Sequence, residues 1–130
     1  MTTSKTYSQL PRAAGPYDHA VRHNDTLYVS GLTAANTDVQ AGCLEEQATE
    51  VLRQIAAILS HEQRSQVDLI KLTIFLRDIS QLENIRGLLL KFFAGHFPAC
   101  TMVEVSGLIQ PDLLIEVEAV IALAVPVAQG

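Results

Sequence analysis

The chain is short of cations. Nine Lys and Arg face fourteen Asp and Glu in 130 residues, for a formal net charge of −5. No run of Lys and Arg occurs, which argues against phosphate-backbone binding as the main task, since that needs many cations on one face. Cysteine is nearly absent too. Cys43 and Cys100 have no paired spacing, so neither a disulfide framework nor a zinc cluster is supported. His19, His23, His61 and His96 are scattered without metal-binding spacing. No apolar run reaches the roughly 18 residues needed to span a bilayer. The start, MTTSKTYSQLPRAAGPY, has no apolar core of a signal peptide, so a cytoplasmic location is expected.

What is present is apolar: 48% of residues are hydrophobic and 18% charged, with a mean hydropathy of +0.22. That composition builds one globular domain over residues 1–130. Its apolar surplus points to a homo-oligomer. An arm or edge strand is expected at the N-terminus (1–12) and a loose tail at 126–130.

Between these ends the pattern changes period several times. Strands around His23-Asn24-Asp25 form a hairpin that ends at Gly31. Residues 32–42 read as a loop. Leu44, Ala48, Val51, Leu52, Ile55, Ile58 and Leu59 recur at helical spacing. Ile70, Leu72, Ile74 and Leu76 alternate with Lys71, Thr73, Phe75 and Arg77, as in a strand with one apolar face. Ser80-x-x-Glu83 reads as a capping box opening a second helix with the stripe Leu82, Ile85, Leu89, Phe92 and Phe93. Gly95 and Pro98 end it. Strands follow at about Thr101–Val105 and from Leu113 to Val125. The order β-β-α-β-α-β-β implies a sheet with helices on one face.

Several residues carry possible chemistry. Glu116 and Glu118 share one face of an apolar strand. They suit either a carboxylate that orients water or trades a proton, or a solvated, ion-paired face; the second reading is ahead on the residues alone. Tyr17, on the Gly15-Pro16 turn, is either a ligand hydroxyl or a rim residue. Arg86 is either an anion-binding guanidinium or the partner of Glu83 at i−3, and the ion pair is favoured. Cys100 as a nucleophile would need a base and a cationic setting. A buried small hydrophobe is the commoner outcome.

Taken together, several stretches resemble one family. They are Ala14-Gly15-Pro16-Tyr17, Leu27-Tyr28-Val29-Ser30-Gly31, Glu46-Gln47, Val67 to Asp78, Phe97-Pro98-Ala99, Val103-Glu104-Val105 and Ile115 to Ala119. In that order and spacing they are similar to the Rid proteins (reactive intermediate deaminases, also called the YjgF or RidA family). The resemblance implies an α+β, chorismate-mutase-like single domain with a mixed sheet and two helices on one face. It also implies a homotrimer with clefts between subunits. It implies a hydrolase that turns enamines and imines such as 2-aminoacrylate into keto acids and ammonia, with no metal or cofactor. Endoribonuclease and translation-inhibitor activities are also described for members.

By the same resemblance Glu116 positions the attacking water, Tyr17 lines the cleft and the Gly31 backbone faces the ligand. Two positions depart. The family arginine that grips the substrate carboxylate is Cys100 here, and an asparagine of the second helix is Arg86. Met102 stands where a cysteine is often found. A charge-assisted pair contributes on the order of 1.5–3 kcal/mol per hydrogen bond, so its loss weakens carboxylate binding by well over tenfold. Either Arg86 supplies the guanidinium or the ligand is not a 2-imino acid. The readings, in order, are an enzyme of shifted specificity acting on a small metabolite, a ligand-binding or regulatory paralogue, and a ribonuclease.

Overall fold

The computed structural model describes residues 1–124. The expected tail at 126–130, and Val125 of the last expected strand, lie outside them. Six strands form one mixed sheet: β1 (Thr2–Lys5), β2 (Ala20–His23), β3 (Thr26–Leu32), β4 (Leu69–Leu76), β5 (Ala99–Glu104) and β6 (Ile115–Ala122). Their order is β1-β2-β3-β6-β4-β5. All neighbours are antiparallel except β4 and β5, which run parallel. A parallel neighbour needs a crossover, and helix α2 (Glu83–Phe93) supplies it. Helix α1 (Leu44–His61) connects β3 to β4. The α+β architecture expected from the sequence is therefore present.

The core lies between the helices and one face of the sheet. Val51, Ile55 and Ile58 of α1 and Ile85 of α2 are fully buried against Leu27, Leu72, Ile74, Leu76 and Ile121. The period-2 pattern of β4 and β6 and the helical stripe of α1 meet there. Burial of such aliphatic side chains contributes about 1.5–3 kcal/mol each.

Five details differ from the sequence reading. Ile70 is exposed, because the β4–β6 register shifts between Leu69 and Lys71 and turns its side chain away from the core. The box at Ser80 does not form. Asp78 caps a 3-10 turn at Ile79–Gln81 by accepting from the Ser80 N–H at 3.0 Å, and Glu83 opens α2 itself. The last strand is shorter than expected, because the chain before Ile115 turns at Gln110–Leu113. β5 begins at Ala99 rather than Thr101 and is exposed along its length as an edge strand. Cys100 is accordingly exposed, not buried. Helix α2 ends where Ala94 and then Gly95 adopt left-handed φ values of 52° and 87°.

Candidate functional site

β3 and β6 lie side by side, and their register is irregular between Val29 and Leu32. Gly31 sits in this irregularity. Across from it Glu116 points to the sheet face opposite the helices, between the buried residues Ile115 and Val117. The two residues occupy the same space. A Cβ added to Gly31 would lie 2.8 Å from the Glu116 carboxyl carbon and 3.1 Å from its Cγ. Glycine is therefore favoured here by the position of the Glu116 side chain, not by backbone conformation, because no left-handed φ is involved.

Glu116 is half-buried. Desolvation, and secondarily the like charge of Glu118, push its pKa above the usual carboxylate value. Among the described residues no hydrogen bond or cation pairs with its carboxylate. A carboxylate with that environment is a better proton acceptor than a solvated one. Ala14, Tyr17, Ser30, Gly31, Thr33 and Ile109 line the open pocket around it. Tyr17 is 45% exposed at its rim. Behind Gly31 the same residues open on a second cavity bounded by Pro11, Arg12, His19 and Gln54.

The remaining candidates lie elsewhere. Cys100 and Met102 pair with Leu72 and Ile74 and so share their helix-side face of the sheet. Met102 and Arg86 line a groove with Leu82, Leu89, Phe93 and Phe97. Arg86 Nε and Nη2 donate to Glu83 at 2.7–3.1 Å, so the ion pair favoured on sequence is formed. Cys100 is exposed, but desolvation by neighbouring atoms raises its thiol, which keeps it neutral. One chain thus carries two separate groups: Tyr17, Gly31 and Glu116 on one side, Arg86, Cys100 and Met102 on the other. Among the described residues no cluster of three His, Cys, Asp or Glu could hold a metal ion.

Sequence reasoning missed the supports of the first group. Gln47 is fully buried. Its Nε2 lies 2.9–3.1 Å from the carbonyls of Gln40, Gly42 and Asp112, and its Oε1 accepts from the Leu114 N–H at 2.8 Å. It ties the loop after β3 to the turn before β6. Gln54 donates to the Thr33 carbonyl at 3.0 Å. Both glutamines fall on the apolar stripe of α1, three residues from Leu44 and Val51 respectively. That spacing marks buried polar side chains with a bonding task. His19, just before β2, is a third buried polar side chain.

Known proteins share this fold. A family model described as endoribonuclease L-PSP matches residues 7–123. A RutC family protein of Pyrococcus horikoshii is 32% identical over 113 residues, covering 85% of this chain and 89% of its own. A 2-iminobutanoate/2-iminopropanoate deaminase of Dermatophagoides farinae is 26% identical over 116 residues, covering 87% and 90%. The crystal structure of yeast Mmf1 aligns with a TM-score of 0.85 at 28% identity, covering 94% of this chain and 98% of that one. With the matched span running from the edge of the N-terminal segment to the end of β6, the chain belongs to the endoribonuclease L-PSP family, the YjgF, RutC and Rid group of proteins.

Proposed function

We propose that the protein is a small hydrolase of enamines, imines or related reactive metabolites, with a specificity shifted by Cys100. The observation that carries this is the half-buried, unpartnered Glu116 carboxylate held against the Gly31 backbone. In the proposed reaction Glu116 takes a proton from a water as the oxygen attacks the imine carbon. The proton passes to the imine nitrogen, which gives a carbinolamine; Glu116 then takes the proton of the added hydroxyl and returns it to the amino nitrogen as the carbon–nitrogen bond breaks, so that a carbonyl compound and ammonia leave. Tyr17 lines the pocket and its hydroxyl orients the substrate. The cleft is completed by a second copy of the chain in a homotrimer. Support for this comes from the two groups of candidates being apart within one chain.

The test couples the purified protein to an enzyme that releases 2-aminoacrylate and follows ammonia and keto acid. Acceleration that Glu116→Gln abolishes supports the reading. No acceleration by an intact oligomer overturns it.

One observation favours a second reading, a ligand-binding paralogue without turnover. The Cys100 thiol is neutral and offers no charge to a carboxylate. That reading expects thermal stabilisation by small metabolites with no product, and the appearance of deaminase activity in Cys100→Arg.

A further inference from the structure

His19 is 6% exposed and has both ring nitrogens engaged. The Tyr7 N–H donates to Nδ1 at 2.9 Å, and the Pro11 carbonyl lies 2.7 Å from Nε2. A backbone N–H can only donate and a carbonyl can only accept. The ring is therefore neutral, with its hydrogen on Nε2. Its own backbone is fixed to the strand beside Gly31: the Ser30 N–H donates to the His19 carbonyl at 3.0 Å, and the Ser30 hydroxyl donates to the Asp18 carbonyl at 2.7 Å. One side chain thus fastens both Tyr7 and Pro11 to the residue next to the Glu116 pocket. The segment so held continues through Ala14 to Tyr17, which line that pocket.

We propose that His19 is a positioning residue: neutral, it latches the segment Tyr7–Tyr17 against β3, and protonated at Nδ1 it releases that segment and withdraws Tyr17 from the pocket. A proton on Nδ1 sets a donor against the Tyr7 N–H, another donor, in a buried place. Among the described residues Nδ1 has no hydrogen-bond partner besides the Tyr7 N–H. The Tyr7 ring stacks on the imidazole at 6.1 Å, with His61 edge-on behind it at 5.2 Å. The Glu62 carboxylate beyond is taken by the Tyr7 hydroxyl at 2.7 Å and by Lys5 at 3.3 Å. Arg12 and Asp18 line the adjoining cavity with His19. The role in turnover rests on the proposed hydrolase; the latch itself does not.

The experiment compares wild type and His19→Gln, whose neutral amide keeps a donor and an acceptor. Amide hydrogen exchange of residues 7–17, corrected for intrinsic rates, is read against that of β6 as the pH is lowered from about 8 until the histidine nitrogen shifts report a proton on His19 Nδ1. Protection in wild type is expected to fall about tenfold on acidification, as for loss of one buried hydrogen bond, and to stay level in His19→Gln. Histidine nitrogen shifts at pH 8 are expected to report the Nε2–H tautomer. With an imine substrate, kcat/KM falls in both proteins as Glu116 takes up its proton, and falls further in wild type, alongside the loss of protection, than in His19→Gln. Wild-type protection that is level with pH, or a Gln variant that follows wild type, overturns the latch. Absence of any hydrolysis overturns the hydrolase reading and leaves the exchange result to decide the latch.

Discussion

Gly31→Ala places a methyl group inside the volume of the Glu116 side chain, with the carboxyl carbon 2.8 Å from the new Cβ. Overpacking of this kind destabilises by about 1–3 kcal/mol. Against it stands a gain of about 0.4–1 kcal/mol, because alanine restricts the unfolded chain and the site requires no left-handed φ. The single variant is therefore expected to lose between about 0 and about 2.6 kcal/mol. In a Glu116→Ala background the clash has no partner, and the same change should be neutral or stabilising. The coupling between the two positions is then about 1–3 kcal/mol. Urea denaturation of wild type, both singles and the double, at one protein concentration, measures it. A coupling below about 0.5 kcal/mol is what independent sites give, and it would refute the claim that Glu116 is the reason for glycine at position 31. The same variant tests the chemistry. A carboxylate moved by about 1 Å is expected to lose on the order of a hundredfold in turnover, more than the stability loss explains.

Glu116 also has a signed pH dependence. Its pKa is raised in the folded state, so the stability linked to its proton is present below the unfolded value and lost as pH rises through the folded one. Glu116→Gln should therefore stabilise the protein at neutral pH and give no advantage at pH 4, measured by denaturation at both. Gln47→Leu removes the buried partner of three carbonyls and of the Leu114 N–H, all partly buried bonds, and should lower stability by about 1–3 kcal/mol, read as a fall in Tm. Ala94→Gly relieves a left-handed alanine and should raise stability by about 1 kcal/mol, seen as a shift of the denaturation midpoint.

How much of this was legible beforehand depends on whether local chemistry or pairing decides. The stripe of α1 and the alternation of Leu72, Ile74 and Leu76 are local, and both elements formed where the pattern put them. Ile70 belongs to the same alternation but is turned out by a register shift against β6, which no local pattern encodes. At Ser80 two local signals competed, and the Asp78 carboxylate, two residues earlier, took the Ser80 N–H. Glu116 stood out as an acid on an apolar strand, and Gly31 as a glycine ending one. That each explains the other required β3 and β6 to be neighbours. Gln47 and Gln54 were legible as polar residues in an apolar stripe and were not weighed. His19 was not, because its two partners, Tyr7 and Pro11, are set by the path of the N-terminal segment.

The Glu116–Gly31 arrangement opposes folding stability in two ways. It keeps a carboxylate partly desolvated without a partner, and it spends a strand position on glycine, which has no side chain to pack. A glutamine or an aliphatic residue at position 116 would remove the first term and keep the strand. Local arrangements that work against stability concentrate where chemistry is done. Cys100, by contrast, shows no such tension: it sits on an exposed edge strand, neutral, on the opposite face of the sheet. In the proposed hydrolase, cysteine at position 100 would alter what a ligand's anionic end meets and would leave the proton-accepting half unperturbed. That asymmetry is why altered specificity is preferred here to lost chemistry. It makes Cys100→Arg the arbitrating variant: if Arg creates deamination where wild type has none on any imine tested, the preference is reversed. If wild type already hydrolyses imines without a carboxylate and Arg redirects it to those that carry one, the preference stands.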